Sequence, residues 1–283
     1  MPPRKVPTAR QRRLGSELRK MREHAGLTLG EAATLLSTDR TGISNTESGR
    51  FGVSGQRVRT WASHYGCPDP AYIDALAGMA EERGRGWWED YRNDLSAGVL
   101  DLAELEHHAR TLRAVQIMHM PGLLQTEDYA RAVFEEAVPP VSPAVLRRRL
   151  SHRLRRRDVL DRHDPPVCTF LIHEAALRLR FGSRKVATTQ LFHLLEQSER
   201  DNVTVRIIPF SAGGFPNAGS STLYVGGPVP QLDTVQTDTP NGSAFLDAET
   251  RLANYRAVLD RVEERSLAPD QSRDFILETA RQL

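Results

Sequence analysis

Little in this sequence points to a disulfide, a metal or a membrane. Only two cysteines, Cys67 and Cys168, occur among 283 residues, far apart and in unrelated surroundings. A disulfide framework or a zinc site needs clustered ligands, so two free thiols in a reducing cytoplasm are expected. The nine histidines show no HExxH or comparable spacing, and the adjacent His107 and His108 point to different faces of a helix. No metal and no cofactor are therefore expected. No stretch approaches the ~18 consecutive apolar residues of a membrane span. The opening MPPRKVPTARQRR is basic but leads into no apolar run. It is not a secretory signal, and residues 1–9 read as a short disordered arm. The glycine-rich segment Ser211–Ser220 is followed by no Gly-Lys-Ser/Thr and is no phosphate loop. It reads as an ordinary long hairpin loop. Internal repeats and low-complexity tracts are also missing.

The length favours two domains, and charge separates them. Residues 1–66 hold 12 Lys and Arg against 5 Asp and Glu, a net of +7, while the remainder holds 26 against 31, a net of −5. A basic small module on an acidic body suggests that the module meets a polyanion. The polar, glycine-bearing run Glu81 to Gly86 is the natural boundary. The expected division is a DNA-binding domain over 10–83 and a sensor or partner-binding domain over 84–283.

The first part reads as short helices. Leu14, Leu18 and Met21 form one apolar stripe, and Thr28 with Glu31 has capping-box spacing before Leu29, Ala32, Ala33 and Leu36. Asp39 caps a third helix with an apolar inner side at Ile43 and a polar outer side. Two short helices across a tight turn, with small residues where they cross, suit the DNA major groove. The pattern over residues 10–66 resembles the lambda-repressor-like, Xre-type helix-turn-helix. The resemblance places Arg40, Thr41 and Asn45 at base-reading positions, with Ser44 beside them. It makes Arg22 and Glu47 a structural ion pair rather than a DNA contact. Thr28, Arg50, Arg57 and Arg59 are candidate phosphate contacts, Thr28 through the helix start it opens. Leu29 and Gly42 depart from the long polar residues usual in that family.

The rest reads as α+β, a small sheet flanked by helices. Strands are expected near 112–120, 167–172, 203–209, 222–225 and 234–237, and helices over 87–95, 100–109, 126–137, 144–160, 185–199, 247–264 and 269–282. Four motifs, MPGLLQTEDYARAVF, LIHEAALRLRFG, NVTVRIIPFSAGGF and PDQSRDFI, are similar to the WhiJ-like regulators of actinobacteria. The resemblance implies a regulator of development or of antibiotic production and other secondary metabolism, and a small acidic protein partner. PGLLQT reads as a turn delivering a helix cap at Thr126, with Gln125 and Tyr129 kept as candidate pocket residues. Glu174 reads as a structural pairing residue and, failing that, a ligand contact. In the arginine run 147–157, Arg149, Arg153 and Arg156 belong to a solvated face, an acidic-partner surface or an anion site.

Taken together, these features predict a cytoplasmic, nucleoid-associated transcriptional regulator. It is expected to bind a roughly palindromic double-stranded DNA operator as a homodimer. A small protein partner or an unknown small-molecule effector would act through the C-terminal domain. A DNA-binding, antitoxin-like component of a two-protein module is the alternative. No enzyme activity is expected.

Overall fold

The computed structural model describes residues 7–82, 85–239 and 242–283. Residues 1–6 of the expected arm and residues 83 and 84 of the expected boundary lie outside them. The chain divides into a unit ending at Glu89 and a second unit from Asp90 to Leu283, against an expected division at 83.

The first unit is all-helical: α1 (Ala9–His24), α2 (Leu29–Leu35), α3 (Arg40–Glu47), α4 (Gly55–His64) and α5 (Pro70–Glu81). Each begins at a side-chain cap, in turn Thr8, Thr28, Asp39, Ser54 and Asp69. Five short helices are thereby started where the chain must turn, since a cap satisfies a backbone N–H that no helix can satisfy itself. Leu18, Ala32, Ile43, Val58 and Leu76 meet in the core, each fully buried. A polar tie joins α1 to α5, with the Tyr72 hydroxyl donating to Glu17 Oε2 at 2.5 Å.

The second unit begins with α6 (Ala97–His107), β1 (Thr111–Gln116), α7 (Glu127–Glu135), α8 (Pro143–Arg156) and β2 (Val167–His173). It continues with α9 (Glu174–Arg178), α10 (Arg184–Gln197), β3 (Val203–Ile208), β4 (Thr222–Gly226), β5 (Thr234–Thr239) and β6 (Gly242–Leu246). The helices α11 (Glu249–Glu264) and α12 (Pro269–Gln282) close it. The six strands make one sheet in the order β3-β2-β1-β4-β5-β6. β1, β2 and β3 run parallel, joined by helical crossovers, and β4, β5 and β6 are antiparallel.

Register sorts the side chains onto two faces. Ala114 lies beside Phe170 and Leu223, and this face packs with Ile276 and Ala280 of α12 and Leu191 and Leu194 of α10. The opposite face carries Val115, Leu171, Tyr224 and Val235 under Leu252, Leu259 and Val262 of α11. The exposed edge of β3 is covered by the link into α12. Ile207 O accepts from Leu267 N at 2.8 Å, and Ile207 N donates to Ser272 Oγ at 3.0 Å. An edge so occupied offers less template for strand addition.

Several expectations need correction. The segment 211–220 is not a hairpin loop: β3 pairs with β2 and β4 with β1, so the chain crosses from the sheet edge to its centre. The helix expected over 87–95 is a short 3₁₀ turn, Trp87–Tyr91, and the arginine helix ends at Arg156, with a 3₁₀ turn to Leu160. The strand at 242–246 was not expected at all.

Candidate nucleic-acid interface

α3 is held from three sides. At its start, Asp39 Oδ1 accepts from Gly42 N at 2.7 Å. Along its inner side Ile43 is fully buried, and Thr46 turns its hydroxyl back to Gly42 O at 2.9 Å. At its end, Glu47 takes a forked pair of hydrogen bonds from Arg22 Nε and Nη2, at 2.6 and 2.9 Å. Arg22 also donates to Leu27 O at 2.8 Å, so one guanidinium joins α1, the approach to α2 and the end of α3. The bonds from Arg22 to Glu47 hold the guanidinium proton more tightly than usual, against the opposing cost of burial.

Two glycines let α1 lie directly on this helix. A Cβ on Gly15 would stand 2.5 Å from Glu47 O and 2.6 Å from Thr46 O. Gly49 has φ +73°, and a Cβ there would meet Gln11 O at 2.8 Å. Neither was singled out from the sequence, although an interior helix glycine such as Gly15 is itself a signal of close backbone approach.

Arg40, Thr41, Ser44, Asn45 and Ser48 recur at steps of one, three and four, which places them on one face of α3. All are exposed except Asn45, which is half-buried. The Arg40 guanidinium has no carboxylate partner among the described residues. Across the turn, Thr28 and Glu31 form a reciprocal cap: Glu31 N donates to Thr28 Oγ1 at 3.3 Å and Thr28 N to Glu31 Oε2 at 2.8 Å. The Glu31 carboxyl accepts from both Thr28 N and Thr28 Oγ1, which holds it below the ordinary carboxylate range. Of the other candidate phosphate contacts, Arg50 is exposed without a carboxylate partner among the described residues. Arg57 lies over the Trp61 ring at 5.4 Å, and Arg59 pairs with Asp74.

The candidate ligand residues of the second unit separate into two groups. Gln125, Arg149, Arg153 and Arg156 line one cavity. Tyr129 and Glu174 lie elsewhere and are engaged. The Tyr129 hydroxyl accepts from Met120 N at 3.2 Å, and burial pushes its pKa up to about 12. Glu174 accepts from Arg178 Nε at 2.6 Å and Phe210 N at 2.8 Å. Glu106, Gln116, His119 and Phe134 also line the cavity and were missed. No local motif marks them, because strand register and helix packing bring them together. The four-motif pattern is partly explained by architecture. In PGLLQT, Gln125 Nε2 donates to Met120 O at 2.8 Å and Thr126 caps α7, while Gln190 bridges Thr126 N and Leu124 O.

Two capped helices across a short turn, the second with an exposed polar face that makes no ion pair among the described residues, have the architecture of a helix-turn-helix. In agreement, a model described as Helix-turn-helix domain matches residues 13–76. A second, described as Domain of unknown function (DUF5753), matches residues 99–278, and the chain belongs to that family. No curated protein and no solved structure matches it. Among the described residues no group of His, Cys, Asp and Glu is arranged to hold a metal ion, and no helix is long and apolar enough to cross a membrane.

Proposed function

We propose that this chain is a sequence-specific transcriptional regulator of the Xre, WhiJ-like kind, which inserts the outer face of α3 into the major groove. The single observation that carries this is the exposure of Arg40, Thr41 and Ser44 on a helix whose opposite side is locked by Ile43 and Glu47. Arg40 suits a guanine edge and Asn45 an adenine edge, each able to make two parallel hydrogen bonds. Ser44 and Thr41 fill the space between. Arg50 and the Leu29 and Gly30 N–H groups that follow the Thr28 cap grip phosphates, and Arg57 adds positive charge, whereas Arg59 would first have to leave Asp74. Arg22 and Glu47 take no part in reading DNA and keep α3 in place.

Two copies reading half-sites about one helical turn apart, ~34 Å, make a palindromic operator the natural target. The second unit modulates binding, through a small acidic protein or an effector. Control of development or secondary metabolism is the biological setting that the four motifs favour. Selection from a random duplex pool tests the reading. The full chain should enrich one motif with two-fold symmetry, and Arg40→Ala and Asn45→Ala should each lose preference at a single base position per half-site. A motif retained unchanged by both variants would remove α3 from the reading.

A further inference from the structure

The cavity in the second unit has a volume of about 400 Å³ and lies on the sheet face that carries Ala114, Phe170 and Leu223. That size suits a small organic molecule. Leu102, Leu123, Phe134, Phe170 and Leu223 give it apolar walls. One side of α8 supplies a different surface, because Arg149, Arg153 and Arg156 are spaced four and three residues apart and share a helix face.

Three arginines and three carboxylates line the cavity, but only one pair of them is in contact. Arg156 is satisfied by Glu106, with its Nε and Nη2 at 2.7 and 2.6 Å from the two carboxylate oxygens. Asp94 is taken by Arg148 Nε at 2.7 Å, while Asp238 accepts from the neutral Gln236 Nε2 at 2.8 Å and keeps a charge that acts on Arg153 and Arg156 without touching them. Arg153 meets only the neutral Gln125 Oε1 at 2.5 Å and the Phe134 ring at 4.9 Å. Arg149 has only the Phe134 ring, at 6.0 Å. Two guanidinium groups therefore face the cavity with no carboxylate in contact. His152, on the same helix, adds no charge at neutral pH, because burial and the nearby Arg156 and Arg153 press its pKa down to about 3. Burial, then repulsion from Arg156, lowers Arg153 to about 9, against attraction to Glu106 and Asp238. Its charged form is costly as the protein stands, and an anion beside it would offset that cost. Gln116 Oε1 at the end of β1 is buried with no hydrogen-bond partner among the described residues. Such an atom normally has a partner, and an incoming hydroxyl would supply one.

We infer that this cavity is the effector site, and that it takes a small amphipathic molecule with one oxyanion head set against Arg153 and Arg149 and an apolar body between Phe134, Phe170 and Leu223. Gln125 positions the Arg153 guanidinium, and the ring of Phe134 spaces it from Arg149. This assignment rests on the proposed function only for its consequence at DNA. The test below contains no DNA, so its failure leaves the reading of α3 intact, and failure of the DNA selection leaves the cavity intact.

Calorimetric titration of the full chain with 6-hydroxynaphthalene-2-carboxylate, its carboxamide, 1-naphthyl phosphate and inorganic phosphate tests the inference. At least one of the two naphthyl anions should bind about 10-fold or more tighter than the carboxamide, which corresponds to ~1.4 kcal/mol. Whichever binds tighter identifies the head as carboxylate or phosphate. In Arg153→Gln the anion should lose about 10-fold while the carboxamide keeps its affinity, which shows an intact cavity with a missing charge. Equal affinity of anions and carboxamide, no binding of either naphthyl anion, binding of inorganic phosphate alone, or an unchanged anion affinity in Arg153→Gln would each overturn the assignment.

Discussion

At the scale of single residues, a buried ion pair and a buried neutral histidine each carry a prediction. Arg22 and Glu47 are buried and doubly hydrogen-bonded, so removing one strands the other. Glu47→Ala should destabilise the first unit by about 3–5 kcal/mol in denaturant unfolding, whereas an Arg22→Met, Glu47→Leu pair should recover much of the loss. A small effect of Glu47→Ala would mean that α3 is anchored by packing alone. His152 gives a pH signature. Its native pKa of about 3 lies below the ordinary value of about 6.5, so the unfolded chain binds the extra proton. Above pH ~6.5 both states are neutral and nothing is lost. As pH falls from ~6.5 towards ~3, stability of the second unit should drop by up to about 1.4 kcal/mol per pH unit from this group. Unfolding measured across that window in His152→Gln should show a shallower decline by about one proton.

At the scale of elements, the caps were the most legible feature and the sheet the least. Thr28 with Glu31, Asp39 and Thr126 announce α2, α3 and α7 in the sequence, because a cap is a local bond between neighbours in the chain. Thr28→Ala should cost about 1 kcal/mol and loosen the turn between α1 and α2. Alternating strands such as Val203–Ile208 were also readable. Strand order was not: the separation of β3 from β4 depends on pairing between segments far apart in sequence. β6 escaped notice because Gly242–Leu246 is short and lacks the β-branched residues that mark β3. The cavity was half legible. Gln125, Arg149, Arg153 and Arg156 were visible as chemistry-bearing residues, but only the register of β1, β2 and β4 shows what they face. Ser272 within PDQSRDFI has a role that the sequence alone conceals, closing the open N–H of Ile207. Ser272→Ala should therefore cost about 1–3 kcal/mol through a buried donor left without a partner, read from unfolding of the second unit.

At the scale of the whole molecule, the first unit holds 14 Lys and Arg against 10 Asp and Glu, a net of +4, and the second unit 24 against 26, a net of −2, which favours the first unit as the one that meets a polyanion. The logarithm of the binding constant should fall linearly with log salt, with a slope of about −0.9 for each phosphate neutralised. Arg50→Ala should lower that slope by about 1 and leave base preference unchanged. The most direct test of the central claim, that the outer face of α3 reads the major groove, is methylation interference on the selected operator. Methylation of guanine N7, which projects into the major groove, should abolish binding at one or more guanines of each half-site, and Arg40→Ala should become indifferent to that methylation. Interference confined to adenine N3 in the minor groove, or absent from every guanine, would contradict it.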